Sequence, residues 1–170
     1  MKKNILITGV AGFIGSNLAE MLLKNNFNVV GIDNLSYGVL EQVPKGVDFH
    51  KKDIRDKDIN KFFNDIDCVF HLAAKNSIID CEENPSETED INVNGTKNIF
   101  EASIRKNIRK VIYAESSAVY EGTQKFPSSE TDANPQSVYA KSKIATNFIA
   151  RDFLKSHGLI STGLRYFNVY

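Results

Sequence analysis

Thr8-Gly9-Val10-Ala11-Gly12-Phe13-Ile14-Gly15 follows directly on the apolar run Asn4–Thr8 and opens a stretch in which Ile14, Leu18, Met21 and Leu22 recur at helical spacing. A strand that turns through three glycines into a helix is the reading that decides the fold. Without a Cβ the chain turns sharply and can come close to a pyrophosphate. The helix that follows offers free N–H groups and the positive end of its dipole. The spacing is Gly-x-x-Gly-x-x-Gly, not the Gly-x-Gly-x-x-Gly of the commonest dinucleotide turn. A tight structural turn has the same letters; the place between strand and helix favours a dinucleotide.

Working backward, Lys2 and Lys3 before an apolar run mimic a secretory signal. That run holds Gly9, Gly12 and Gly15 and has no clean small-residue cleavage site, so it reads as strand and turn. Working forward, Val29–Asp33 reads as a second strand, Val47–His50 as a weaker third, and Cys68–Leu72 as a fourth. A short helix is expected around Ile59, Phe62 and Phe63. Asn84-Pro85 has the residues of a helix start, Asn as cap and Pro in the first turn. That helix should run to about Arg105 with Ile91, Ile99 and Ala102 inward. Lys110–Ala114 is a fifth strand and Glu121–Asn134 a polar loop. A helix from about Pro135 to His157, stopped by Gly158, precedes a sixth strand, Ile160–Tyr166. Such alternation predicts an α/β fold: a doubly wound parallel sheet with helices on both faces, as one domain over 1–170.

Asp33 closes the second strand eighteen residues after Gly15. A carboxylate there accepts hydrogen bonds from adenosine ribose hydroxyls and repels a 2′-phosphate, and no Arg or Lys follows immediately, so NAD is favoured over NADP. A turn Asp before Asn34 is the plainer alternative. Tyr139 and Lys143, four apart, share one helix face. Ser116 and Ser117 end the fifth strand, at the sheet edge where ligands bind in such folds. These three residue types suit hydride transfer coupled to proton transfer at a hydroxyl. A free Tyr has a pKa of about 10, and a nearby ammonium lowers it by about 1.4 kcal/mol of preference per unit. As an isolated pair, Tyr-x-x-x-Lys is usually a helix-surface couple; with the glycine turn, in this order, the reading reverses.

The bulk numbers exclude several classes. Lys+Arg and Asp+Glu are both 21 in 170 residues, so no basic excess points to nucleic acid or to an anionic membrane. No run of 18 apolar residues suggests a spanning helix. The two cysteines, Cys68 and Cys81, and three histidines form no metal-ligand spacing, so no metal is expected. Few cysteines fit a reducing, cytoplasmic location.

Together the motifs resemble the extended short-chain dehydrogenase/reductase family, in its NAD-dependent nucleotide-sugar epimerase/dehydratase branch, with a Rossmann-like fold. The carrying stretches are Thr8–Gly15, Asp33-Asn34-Leu35-Ser36, Asp53-Ile54-Arg55, His71-Leu72-Ala73-Ala74 and Asn92-Val93-Asn94-Gly95-Thr96. To these add Ser116-Ser117-Ala118-Val119-Tyr120, Tyr139-Ala140-Lys141-Ser142-Lys143 and Leu164-Arg165-Tyr166-Phe167-Asn168-Val169-Tyr170. The resemblance implies that Phe13 and Ile14 lie over the pyrophosphate with Gly9, Gly12 and Gly15. Asp33 and Asn34 would hold the adenosine ribose, Asp53 and Ile54 would edge the adenine, and Leu72, Ala73 and Ala74 would pass along the cofactor. Ser116 would match the catalytic Ser or Thr, Tyr139 the acid/base, and Lys143 would also bind the nicotinamide ribose. Phe167 would line the nicotinamide side and Asn168 would meet the diphosphate of a nucleotide-sugar substrate. The activity implied is 4-epimerisation of a UDP-sugar type substrate by transient hydride transfer to bound NAD.

Other readings on the same resemblance are a dehydratase or reductase, or a non-catalytic NAD-binding regulatory protein. Dehydratases usually carry acidic groups beside the catalytic Ser/Thr; here Ser117 and Ala118 follow Ser116. Regulatory relatives often lose the Tyr or Lys, and both are kept. The helices around 86–105 and 136–157 imply a homodimer. Three departures stand out. Glu115 replaces a usually small residue, and strand alternation should turn it harmlessly away from Ser116. Glu121 separates Tyr120 from Gly122 and is expected to alter the loop over the sugar. The sequence stops at Tyr170, where by this resemblance a Gly-Pro turn and a smaller substrate region would follow, so NAD binding with weak or absent turnover is expected of this chain alone.

Overall fold

The computed structural model describes residues 2–170. Its central strand is β1 (Asn4–Thr8), flanked by β2 (Asn28–Asp33) and β4 (Cys68–His71), with β3 (Asp48–Lys51), β5 (Lys110–Ser116) and β6 (Ile160–Tyr166) outward. The order is β3-β2-β1-β4-β5-β6, and every pairing is parallel. This is the doubly wound order, and its switch point lies between β1 and β4. Strand alternation sorts β1 between two cores. Leu6 joins Ile99, Phe100, Val111 and Phe153 on one face, while Ile5 and Ile7 meet Ala19 and Val10 on the other. The first core lies under α4 (Thr96–Arg105) and α5 (Val138–His157); the second lies under α1 (Phe13–Lys24).

All six strands fall where the sequence put them, within one residue except at the end of β5. The helix expected from Pro85 to Arg105 is continuous but not uniform. It runs as α3 (Pro85–Glu89), a π stretch at Asp90–Gly95, then α4. Pro85 takes the first helical position, but the Asn84 side chain does not cap it; it donates instead to Asp80 of the preceding helix. That helix, α2 (Ile78–Glu83), was not expected; Ser77 caps it by accepting from Asp80 N. Its six residues are too few for periodicity to reveal. The last helix begins at Val138, three residues later than expected, because Ser137 is the cap. Gly158 stops it in the left-handed region at φ 69°, as expected. The loop at 121–134 contains one short 3-10 turn, Glu130–Asp132.

Candidate active site

At the switch point the ends of β1, β2 and β4 surround an open groove of about 300 Å³. Ten of the expected cofactor residues line it: Gly9, Gly12, Phe13, Asp33, Asn34, Asp53, Ile54, Leu72, Ala73 and Ala74. Gly15 and Ile14 do not. Gly15 is buried beneath, and a Cβ on it would stand 2.1 Å from Gly9 O, so its absence lets α1 press against the turn. A Cβ on Gly9, at φ 77°, would stand 2.7 Å from Ala73 N. Ile14 is half-buried in the first turn of α1. No side chain caps that helix, which leaves its first N–H groups free for an anion.

Asp33 is built into this turn. Its Oδ2 accepts Ala11 N at 3.0 Å and its Oδ1 accepts Leu35 N at 2.8 Å. Each oxygen keeps a second lone pair for a ribose hydroxyl. Leu35 is held at φ 62°, unusual for leucine, by the second of these bonds. Asp53 is gripped by Arg55 through Nε and Nη2, and Asn34 Nδ2 donates to it at 2.9 Å. The Arg55 side chain holds the Asp53 carboxyl well below the usual carboxylate range. Arg55 and Lys52 both reach the groove although neither follows Asp33 in sequence. Each is already paired with two carboxylates, Asp53 and Asp90, or Asp56 and Asp58.

Further groove residues had no local signal. Lys75 is 1% exposed, and its Nζ donates to Glu87 and pairs with Asp80 at 3.0 Å; the Tyr37 hydroxyl donates to the same Asp80. Glu87 pushes the Lys75 ammonium upward. Three separate segments, at 37, 75–80 and 87, meet only in the fold. Asn92, carried by the π stretch, is buried and binds both backbone groups of Lys75 and, at 2.9 Å, Ser142 Oγ. It joins the groove wall to the helix that holds Tyr139 and Lys143.

Ser116, Tyr139 and Lys143 come together outside the groove wall itself. Lys143 Nζ lies 5.8 Å from the Tyr139 ring centroid and donates to Ala114 O at 3.1 Å. Burial pushes the Lys143 ammonium down to about 8, opposed by the Glu115 charge. Burial pushes the Tyr139 phenol up, and the Ser116 hydroxyl beside it pulls the other way. Ser116 Oγ also accepts Ala118 N at 3.2 Å, closing the 3-10 turn Ser117–Tyr120. Phe167 and Asn168 follow Tyr166, the register partner of Ser116, and so stand at the same sheet edge. Their side chains are exposed, however, and line no part of the groove, so the structure does not bring them to it.

Glu115 faces away from Ser116, as strand alternation requires, but it is not a bystander. It is 4% exposed and accepts from Tyr113 Oη, Asn147 Nδ2 and Arg165 Nε. Glu121 does shape the loop. Its carboxylate accepts from Gln136 N, Ser137 N and Ser137 Oγ, at the N-terminus of α5.

The family model described as the NAD dependent epimerase/dehydratase family matches residues 5–170. The chain belongs to this family. Among solved structures, a UDP-glucose 4-epimerase from Thermotoga maritima with UDP-glucose superposes at a TM-score of 0.95 and 34% identity, over 98% of this chain and 56% of that one. A UDP-glucose 4-epimerase from Thermus thermophilus in complex with NAD gives 0.91 and 35%, over 98% and 56%. Among curated relatives, UDP-glucose 4-epimerase of Streptomyces lividans is 33% identical over 99% of this chain and 53% of its own length. The chain spans about half the length of the curated relatives it matches.

The groove fits the epimerase/dehydratase family's NAD. The close approaches at Gly9 and Gly15 leave a cradle that any side chain would fill, an uncapped helix faces it, and the Asp33 carboxylate lines it. Among the described residues no three His, Cys, Asp or Glu gather as metal ligands, and no helix is long and apolar enough to cross a membrane.

Proposed function

We propose that this chain is the cofactor-binding and proton-transferring part of a nucleotide-sugar 4-epimerase acting on a UDP-sugar. The observation that carries this reading is the meeting of Ser116, Tyr139 and Lys143 at the carboxyl edge of the sheet, beside the groove that fits NAD. The similarity to UDP-glucose 4-epimerases supports it.

NAD, when bound, supplies a hydride acceptor that can return the hydride to the same carbon. The chain handles the proton. Tyr139 Oη receives it from the sugar hydroxyl as the carbon is oxidised, and gives it back on reduction. In the bare site burial holds the phenol protonated, so the positive charges of Lys143 and of the cofactor are needed to bring it into range. Ser116 holds the reacting oxygen in line by hydrogen bonding. Phe167 and Asn168 complete the reading at the nicotinamide and the substrate diphosphate, from the exposed segment after β6. The partner in this reading is a second copy of the chain, through the α5 face that presents Phe148 and Leu154 to solvent.

The test is inversion at C4 of UDP-glucose, followed by proton NMR with NAD present, in wild type and Tyr139→Phe, with NAD affinity measured in parallel. The expected result is NAD affinity lowered by no more than about tenfold, the lost hydroxyl being a single hydrogen bond at most, and inversion reduced at least a hundredfold, the low end for loss of an acid/base. Inversion that survives the substitution, or a folded chain that does not bind NAD, would overturn the reading.

A further inference from the structure

Among the described residues, Glu115 is the buried carboxylate beside the Ser–Tyr–Lys site that the mechanism leaves unused. Its side chain is 2% exposed. Two rungs join its strand to the catalytic helix: Lys143 Nζ donates to Ala114 O at 3.1 Å, and Asn147 Nδ2, one turn further along α5, donates to Glu115 Oε1 at 2.9 Å. Residues four apart on a helix lie over one another, so these rungs fix both the height and the rotation of that face against β5. On the other side Arg165 Nε donates to Glu115 Oε2 at 2.8 Å. The same guanidinium donates through Nη1 to Tyr120 Oη at 2.5 Å and to Glu130 O at 2.8 Å. One carboxylate thus links the helix bearing Tyr139 to the start of the loop that follows Ser116, at Tyr120, and to Glu130 within it.

We propose that Glu115 is a positioning residue for the active site: a buried counter-charge that keeps Lys143 in place as an ammonium and, through Arg165 and Tyr120, fastens the loop at 121–134. The proposal rests on the epimerase reading for its catalytic meaning, but not for its test. Lys143 is surrounded from four elements. The charges of Glu115 on β5 and Cys81 on α2 act on it, it acts in turn on His71 of β4, and the Tyr139 ring of its own helix lies 5.8 Å from its Nζ. Glu115 is the group among these paired with a cation, and its charge opposes the burial that pushes the Lys143 ammonium down to about 8. A buried ammonium with a carbonyl as its hydrogen-bond partner needs such a charge nearby.

The experiment reads Lys143 directly, without NAD or sugar, by NMR titration of the chain labelled with carbon-13 lysine. The Lys143 signal is assigned by its loss in Lys143→Met. Glu115→Gln is expected to lower the Lys143 titration midpoint by at least about half a pH unit, the reach of a neighbouring charge in a partly dry site. Asn147→Ala keeps the charge while removing one rung, and is expected to leave the midpoint where it is. Removing one member of a buried ion pair can unfold a protein, whereas removing both is often tolerated. The double variant Glu115→Gln with Arg165→Met is therefore measured alongside, with a smaller shift in the same downward direction expected, since the Arg165 cation that opposes Glu115 is removed with it. An unmoved midpoint in whichever Glu115 variant folds, or an equal shift in Asn147→Ala, would overturn the proposal. NAD binding by the same samples, measured by calorimetry, separates that outcome from failure of the epimerase reading.

Discussion

Asp33 has two duties that pull on the same atoms. Its oxygens hold the backbone of the glycine turn at Ala11 and of the following loop at Leu35, and the same carboxylate lines the groove proposed to take the ribose. Truncation to alanine would confound the two, so the informative change is Asp33→Asn, which keeps the shape and removes the charge. One of the two N–H donors then meets an NH2 group, and a loss of about 1 kcal/mol in stability is expected for that bond. NAD affinity should fall roughly ten- to a hundredfold, the worth of a hydrogen bond to a charged acceptor, and discrimination against NADP should shrink. Calorimetry with both dinucleotides measures this. Unchanged NAD affinity would take Asp33 out of the cofactor site.

Among the elements, the glycines separate two kinds of constraint. At Gly15 a Cβ would overlap Gly9 O, which is backbone and cannot swing aside. Gly15→Ala should push α1 off the turn, cost roughly 1–3 kcal/mol by overpacking, and abolish NAD binding. At Gly158 nothing lies within 4 Å, but φ is 69°. Gly158→Ala should cost about 1 kcal/mol, from the left-handed conformation alone, with NAD binding intact. Urea unfolding and calorimetry on both variants test the contrast. The α5 start shows how element boundaries escape a sequence reading. Pro135, Gln136 and Ser137 all suit a helix entrance, and the choice fell to Ser137 because Glu121, sixteen residues earlier, accepts from its backbone and side chain.

For the molecule as a whole, His71 joins the layers. It is fully enclosed between Thr8 Oγ1 at 2.7 Å and Thr96 Oγ1 at 2.9 Å, linking β1, β4 and α4. Thr96 gives its own proton to Asn92 O, so it must accept from His71 Nε2–H, which leaves Nδ1 to accept from Thr8. The ring is neutral in this arrangement, and burial holds it down to about 3 against an ordinary 6.5. Above about pH 6.5 it is neutral folded and unfolded, and contributes no pH dependence. Below that, the unfolded chain takes up a proton that the folded chain refuses. Stability should therefore fall by about 1.4 kcal/mol per pH unit between roughly pH 6 and pH 5, before the carboxylates titrate. Denaturant unfolding across that window measures the slope, and His71→Leu should lack it.

Much of this molecule was legible in one dimension because the relevant signals are local. Strand length, helical period, the glycine turn and the Gly158 stop are each set by a few neighbouring residues, and the six strands and the glycine turn that opens the groove follow from them. The family motifs named Leu72–Ala74 and put forward Ser116, Tyr139 and Lys143 as a candidate site. What only the tertiary structure decided are the contacts between residues distant in sequence. Glu115 is spaced fifty residues from Arg165, Lys75 sits under Glu87 and Asp80, and Lys52 and Arg55 reach the groove already neutralised. A lone charge in a sequence reads the same whether it will be solvated or buried. Burial and partners are properties of the packed sheet, and they turned Glu115 from an inert substitution into a fastening between the catalytic helix and its loop.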